Sequence, residues 1–181
     1  MIMKKLILLL FLASNLSSAA QKFIVEKSFV SFYSHATIED ITAKHENANS
    51  IFSTETGEIV FSVPIKEFKF AKALMEEHFN EKYMESEKFP KATFQGKVTG
   101  FQKQLTGAQQ VQAIGKLTVH GVTKEIEIPG TLEVSGGKIK LLSKFVIKLA
   151  DYNITLPQLM WQNIAEQVDV TLEFTYKPYE K

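Results

Sequence analysis

The chain has 181 residues, with 21 basic residues that are all Lys, 20 acidic residues and no Cys. The absence of Arg and of a strong positive charge argues against nucleic-acid binding, where guanidinium groups and a basic surface are expected. Without Cys, the chain forms no disulfide and offers no thiolate to a metal. The length is that of one domain, large enough to bury a core and fold on packing alone.

Residues 1–20 are predicted to be a cleaved signal peptide. Lys4-Lys5 forms a charged start, Leu6–Leu12 is a short apolar run, and small residues end the segment at Ser18–Ala20. The apolar run is far shorter than the roughly 20 residues that a membrane span needs. We therefore expect a single exported domain over residues 21–181, periplasmic or secreted, without stable insertion in a membrane.

The first half of this domain changes its hydrophobic period once. Ser28–Ser34 is predicted to be a strand, and its apolar residues on both faces suggest that both faces are covered. Residues 59–65 alternate through another strand. Over residues 71–84 a single apolar stripe predicts a short amphipathic helix. The stripe consists of Ala71, Leu74, Met75, His78, Phe79 and Tyr83.

The second half contains the clearest antiparallel pair. Residues 111–119 alternate apolar and polar side chains, with Ile114 as the exception, and residues 125–128 alternate again after a short polar segment. Gly121 lies at the reversal, where a residue without Cβ takes a positive φ at little cost. The most regular alternation is that of the last predicted strand, residues 168–176.

Strands of this spacing, mostly joined by short turns, predict an all-β fold in which an antiparallel sheet closes into a barrel. The helix at about 71–84 is the main exception. A second helical turn is predicted at about 157–166. No internal repeat and no second domain is evident.

Four histidines, His35, His45, His78 and His120, are the candidates for a metal ligand or a general base. None has H-E-x-x-H or a similar ligand spacing. His78 lies on the apolar stripe of the helix, where packing is the favoured interpretation, and His120 is interpreted as an exposed turn residue. The sequence contains no G-x-S-x-G motif and no Gly-rich phosphate loop. We therefore predict no catalytic residue, no metal and no cofactor.

Four segments, taken in order, resemble the YceI-like family, the lipocalin-like polyisoprenoid-binding proteins of the bacterial periplasm. LTVHGVTKEIEI (residues 117–128) is similar to the family's L-T-x-x-G-V-T-K hairpin. The family's first strand is similar to SFVSFYSH (28–35). A later strand entry is similar to KFPKATFQG (88–96), and the late Asp-Phe/Tyr-x-Ile segment is similar to KLADYNI (148–154). The resemblance implies a lipocalin-like barrel that holds an isoprenoid chain in an elongated central cavity.

The resemblance also implies that inward-facing apolar side chains line the ligand site. The residues predicted to line it are Phe61, Val63, Phe94, Leu117, Val119, Phe145, Ile147, Leu172 and Phe174. Met160 and Trp161 are placed at one end of the cavity. His35 and His78 are the candidates for contact with a ligand headgroup, and for His35 a capping role is an equal alternative.

The leading hypothesis is an exported protein, not an enzyme, that transports, stores or sequesters a polyisoprenoid or prenylquinone. The absence of Arg favours a neutral quinone head over a pyrophosphate. The alternative is an exported enzyme that acts on a small apolar or isoprenoid substrate with a His base. A third hypothesis is an interaction module with a solid barrel. The sequence leaves open the identity of the ligand and the oligomeric state, including a homodimer.

Overall fold

A computed structural model describes residues 21–35, 40–155 and 165–180. These residues form ten strands in one antiparallel sheet. The strands are β1 (Lys22–Ser34), β2 (Ile41–His45), β3 (Asn49–Ser53), β4 (Glu58–Pro64), β5 (Lys69–Phe70), β6 (Lys91–Thr99), β7 (Gly107–Val119), β8 (Val122–Ser135), β9 (Lys138–Lys148) and β10 (Gln167–Pro178).

Eight of these strands close into a barrel in the order β1-β3-β4-β6-β7-β8-β9-β10. The closing pair joins β10 to β1, from Phe23 opposite Pro178 to Tyr33 opposite Asp169. The first part of β1 pairs with β3 and its last part with β2, which in turn pairs with β5. The predicted all-β antiparallel barrel is therefore confirmed.

Strand alternation sets the inner face of the barrel. In β10, Val170, Leu172, Phe174 and Tyr176 are buried, as the regular alternation of this strand predicts. The prediction for the first strand is wrong on one face, because Tyr33 is exposed and its hydroxyl donates a hydrogen bond to Asp40. The outer face of β1 is therefore partly open to solvent.

The predicted helix is present but shorter than expected. It runs over Ala73–His78 (α1) and continues as one π-helical turn over Phe79–Tyr83, where the N–H of Met84 bonds to the carbonyl of Phe79 at 2.9 Å. A π turn is wider than an α turn, which changes the spacing of the apolar stripe. The residues at the start of the stripe, Ala71 and Leu74, are exposed.

Among the described residues there are also two 3₁₀ turns, Ile65–Glu67 and Leu149–Tyr152. The helical turn predicted at about 157–166 lies almost wholly outside the described residues.

One half of the barrel is filled by packed side chains. These residues come from the beginnings of β1, β4 and β9 and from the ends of β3, β6, β8 and β10, which meet at the same end of the barrel. The principal ones, all buried, are Phe23, Phe52, Ile59, Val98, Leu132, Ile139 and Tyr176. Tyr176 is fully buried, and its hydroxyl lies 2.7 Å from the hydroxyl of Ser50. This half supplies most of the close packing expected of a protein interior.

The central hairpin forms as predicted between β7 and β8. A two-residue turn joins the strands, with φ of +49° at His120 and +74° at Gly121, the signs of a type I′ turn. The positive φ predicted at Gly121 is confirmed. The position is also sterically closed, since a Cβ there would lie 2.4 Å from the ring of Phe89.

Two glycines allow β6 and β7 to approach closely at one point. Gly96 is paired with Gly115 in the register of these strands. A Cβ on Gly115 would lie 2.3 Å from the carbonyl oxygen of Gln95 and 2.5 Å from the Cα of Gly96. Both of these atoms are backbone atoms, so no side-chain rotation relieves the clash.

We expect Gly115→Ala to destabilise the protein, because β6 and β7 must move apart to admit the methyl group. The expected loss of unfolding free energy is about 1–3 kcal/mol or more, the usual cost of overpacking. Urea unfolding followed by circular dichroism measures it. Gly136→Asn is the control, since a Cβ at Gly136 meets no atom within 4 Å and Asn tolerates its φ of +57°. Equal stability of the Ala variant and the wild type would contradict this account.

Candidate functional site: an apolar cavity at one end of the barrel

The other half of the barrel encloses a cavity of about 370 Å³. Its wall comes from the ends of β1, β4, β7 and β9, the beginnings of β6 and β10, and the helical segment that follows β5. This volume lies in the lower part of the range of roughly 300–1,000 Å³ that small-molecule sites occupy. The described lining residues come from one end of the barrel, and the elongated central cavity that the family resemblance implies stays a prediction.

Most of the residues predicted to line a ligand site face this cavity. They are Phe61, Val63, Leu117, Val119, Phe145, Ile147 and Leu172, together with His78. Phe94 and Phe174 are not among its lining residues and are buried in the packed half. Met160 and Trp161 lie outside the described residues. Contact of any of these side chains with a ligand stays a prediction.

The floor of the cavity is an aromatic cluster. The ring of Phe61 stacks on that of Phe94, with centroids 5.1 Å apart and planes 14° apart. The ring of Phe174 lies 6.0 Å from Phe61 on another side. Phe61 therefore has cavity on one side and packed aromatic rings on the other.

A second aromatic cluster, which the sequence did not reveal, forms one side of the cavity. Phe79 of the π turn stacks on Phe32 of β1 at 5.4 Å and contacts Phe70 of β5 at 5.0 Å. Phe68 joins the same cluster, 5.4 Å from Phe32. Phe79 belongs to the predicted helical stripe and Phe32 to the predicted first strand. Their meeting depends on the pairing of β5 with β2, which no local pattern indicates.

The described part of the cavity wall carries no Lys, Asp or Glu. Its polar side chains are Ser31, Ser34, His78 and Tyr83. Burial raises the pKa of the Tyr83 phenol, which keeps that group neutral at physiological pH. The hydroxyl oxygen of Ser34 is buried and has no hydrogen-bond partner within the described residues. The described wall thus combines apolar side chains with a few hydrogen-bonding groups and carries no carboxylate or ammonium group.

Two of the remaining histidines are placed by interactions outside the cavity. His35 is largely exposed, and its Nδ1 lies 2.9 Å from a carboxylate oxygen of Asp40. His120 is not the exposed turn residue that the sequence analysis expects, because only 9% of its side chain is exposed. Its Nδ1 lies 3.1 Å from the carbonyl oxygen of Tyr152 and its Nε2 lies 3.0 Å from the carboxylate of Glu85. These contacts tie the central hairpin to two distant segments.

His45 lies directly behind the cavity wall. Its side chain is completely buried, and its ring lies 5.2 Å from that of Phe68. The backbone N–H of Asn47 donates to Nδ1 at 3.2 Å, while Nε2 is 3.8 Å from the carboxylate of Glu67. Burial lowers the pKa of His45, and the negative charge of Glu67 opposes part of that effect.

Folding lowers the pKa of His45, so the unfolded chain binds more protons than the folded chain as the pH falls through about 6.5. The folded state therefore loses stability over that range. We therefore expect His45→Asn to lose less unfolding free energy than the wild type between about pH 7.5 and about pH 5.5. The Asn side-chain oxygen can replace Nδ1 as the acceptor from Asn47. Chemical denaturation at each pH measures the difference.

The companion variant for this experiment is Glu67→Gln, which keeps His45 but removes the charge that favours its protonation. The wild type loses stability on acidification, and this variant should lose more. Identical pH profiles for the wild type and both variants would contradict a buried, protonation-resistant His45.

The described residues offer no cluster of three or more His, Asp or Glu side chains that could hold a metal ion. Over the same residues, no helix has both the length and the apolar character needed to cross a membrane.

The chain is similar to a known domain family and to several solved structures. A family model described as a YceI-like domain matches residues 22–176. A solved polyisoprenoid binding domain from Saccharophagus degradans, implicated in plant cell wall breakdown, has a TM-score of 0.75 and 18% identity, over 87% of this chain and 98% of its own. BcnA of Burkholderia cenocepacia has a TM-score of 0.69 and 17% identity, over 82% of this chain and 95% of its own.

A YceI protein of Campylobacter jejuni has a TM-score of 0.60 and 15% identity, over 81% of this chain and 90% of its own. No curated protein sequence matches the chain significantly. At these identities the likeness to solved structures establishes the barrel fold.

Proposed function

Because the chain belongs to the YceI-like domain family, we propose that it is an exported binding protein that holds an isoprenoid lipid or prenylquinone in its barrel cavity. The single observation that carries the proposal is the apolar cavity of about 370 Å³ at one end of the barrel. The similar domain from Saccharophagus degradans is described as polyisoprenoid binding. The charged start, apolar run and small residues of positions 1–20 support export.

Burial of hydrocarbon supplies enough free energy for such binding. One five-carbon isoprene unit contributes up to about 4 kcal/mol at about 0.8 kcal/mol per CH₂, before ordering of the chain is subtracted. An exposed ion pair contributes only about 0–1 kcal/mol. Two well-buried units therefore outweigh any surface charge contact. Selection by shape and apolar lining suits a cavity of this composition.

The ligand that fits this cavity is neutral. A buried phosphate or pyrophosphate needs a cation or several hydrogen-bond donors, since an unpaired buried charge is very costly. The described cavity wall has no Lys, and the sequence has no Arg. A quinone or an alcohol needs only one or two hydrogen bonds, and His78, which lines the cavity, is the side chain proposed to supply one.

The lining also favours binding over catalysis. A histidine that acts as a general base is commonly oriented by a carboxylate. His78 faces the cavity, but no Asp or Glu accompanies it on the described wall. The hollow end likewise favours a ligand-binding barrel over an interaction module with a solid interior.

We expect Ile147→Trp to weaken binding strongly, because the larger side chain occupies the cavity. Affinity for a short-chain ubiquinone, measured by isothermal titration calorimetry, should fall by about tenfold or more, the effect of losing about 1.4 kcal/mol. Val146→Trp is the matched control, since Val146 is the preceding residue of β9 and is 50% exposed on the outer face. Lack of ubiquinone binding by the wild type, or equal losses in both variants, would refute the proposed function.

We expect His78→Leu to weaken prenylquinone binding by about twofold to tenfold, since one net hydrogen bond contributes about 0.5–1.5 kcal/mol. Binding of a prenyl hydrocarbon of the same length, without a polar head, should not change. Met75→Leu controls for packing, because Met75 lines the cavity from the same helix and Leu is similar in volume. If His78→Leu weakens both ligands equally, His78 acts through packing and does not contact the headgroup.

A further inference from the structure

We propose that Phe61 is the residue that limits how much of an isoprenoid chain the barrel can enclose, and that the limit lies at two to three isoprene units. This inference rests on the proposed function. It adds a chain-length specificity and assigns it to one side chain.

Phe61 lies at the boundary between the hollow and the packed halves of the barrel. Phe61, Phe94 and Phe174 are all inward-facing and buried, with 8%, 1% and 1% exposure. Of the three, only Phe61 lines the cavity. An isoprenoid chain that fills the cavity therefore contacts the packed aromatic rings of this cluster through Phe61.

Packed aromatic rings support Phe61 on the side away from the cavity. Its ring stacks flat on Phe94 and packs against Phe174, which in turn lies 5.9 Å from the ring of Tyr176. Tyr176 contacts Phe52 at 6.2 Å and is held by its hydrogen bond to Ser50. Since these rings occupy a close-packed interior, Phe61 cannot move down to lengthen the cavity without displacing them.

The depth and volume of the cavity above Phe61 set how much of a chain it can hold. Along β4 the wall runs from Phe61 to the adjoining Ile65, and along β10 from Leu172 to Val168. Each path is four residues long, roughly 13 Å at about 3.3 Å per residue. If each methylene-sized group takes about 30 Å³, as a water molecule does in the liquid, the cavity holds about a dozen carbon atoms. This corresponds to two isoprene units and part of a third, so that further units stay outside the enclosed space.

The test is a chain-length series of geraniol, farnesol and geranylgeraniol, which differ by one isoprene unit each, measured by isothermal titration calorimetry. For the wild type, affinity should rise about tenfold or more from geraniol to farnesol, and by about threefold or less from farnesol to geranylgeraniol. Phe61→Ala removes a ring similar in size to one isoprene unit. In that variant, the large increase should continue to geranylgeraniol.

Leu132→Ala is the matched control. Leu132 is completely buried but does not line the cavity, so its truncation also weakens packing without opening the floor. It should keep the wild-type dependence on chain length. If Phe61→Ala does not fold, Phe61→Leu is the replacement and should shift the same step in the same direction.

The possible results separate the two claims. A wild type that binds none of the three alcohols would refute both the proposed function and the length limit. Binding that strengthens equally with every added unit in the wild type would refute the length limit alone. The assignment to Phe61 also fails if the Phe61 variants keep the wild-type profile, or if Leu132→Ala changes it as Phe61→Ala does.

Discussion

The pairing of β10 with β1 is the constraint on which the rest of the structure depends. It turns an open sheet with two edges into a barrel, so that the inner faces of eight strands enclose a single interior. Because side chains alternate strictly along each strand, closure commits about half of the strand residues to this interior. The remaining question for function is whether those inward side chains fill the space.

The answer differs between the two ends of the barrel. At one end, large rings such as Phe52, Phe174 and Tyr176 meet across the interior and pack against one another. At the other, the inward residues are mostly aliphatic, and the aromatic residues Phe32, Phe68, Phe70 and Phe79 cluster on one side. An apolar cavity forgoes the dispersion contacts that atoms would supply there. The packed end compensates for this loss and allows the hollow end to persist.

Local sequence patterns were sufficient to predict the long strands, the presence of the helix and most of the inner face. Val111, Leu117 and Val119 are buried, whereas Ile114, the exception in its strand, is 50% exposed. These features follow from periods of two and of about 3.6 residues, which are properties of short stretches of chain. The family resemblance is also confirmed, since its four segments lie within the matched residues 22–176.

Which of the inward residues border the cavity could not be predicted in the same way. Phe61 and Phe94 both face inward, and so do Leu172 and Phe174, yet the first of each pair lines the cavity and the second is in the core. Alternation assigns a residue to a face, but whether an inward residue borders the cavity depends on packing across the barrel between segments that are distant in sequence. The same reason explains His120, whose burial depends on Glu85 and on the carbonyl of Tyr152.

The distribution of charge completes the physical account of the site. The chain carries 21 Lys and 20 acidic residues, and pairs such as Lys138–Glu26 and Lys124–Asp151 lie on the outside of the barrel. Exposed pairs of this kind contribute little to stability and cannot select a ligand inside the barrel. Discrimination must therefore come from the depth of the cavity, its width and the few hydrogen-bonding groups on its wall. The proposed ligand, a flexible neutral hydrocarbon with one small polar group, would satisfy all three, whereas an ionic ligand would lose its hydration without gaining a partner.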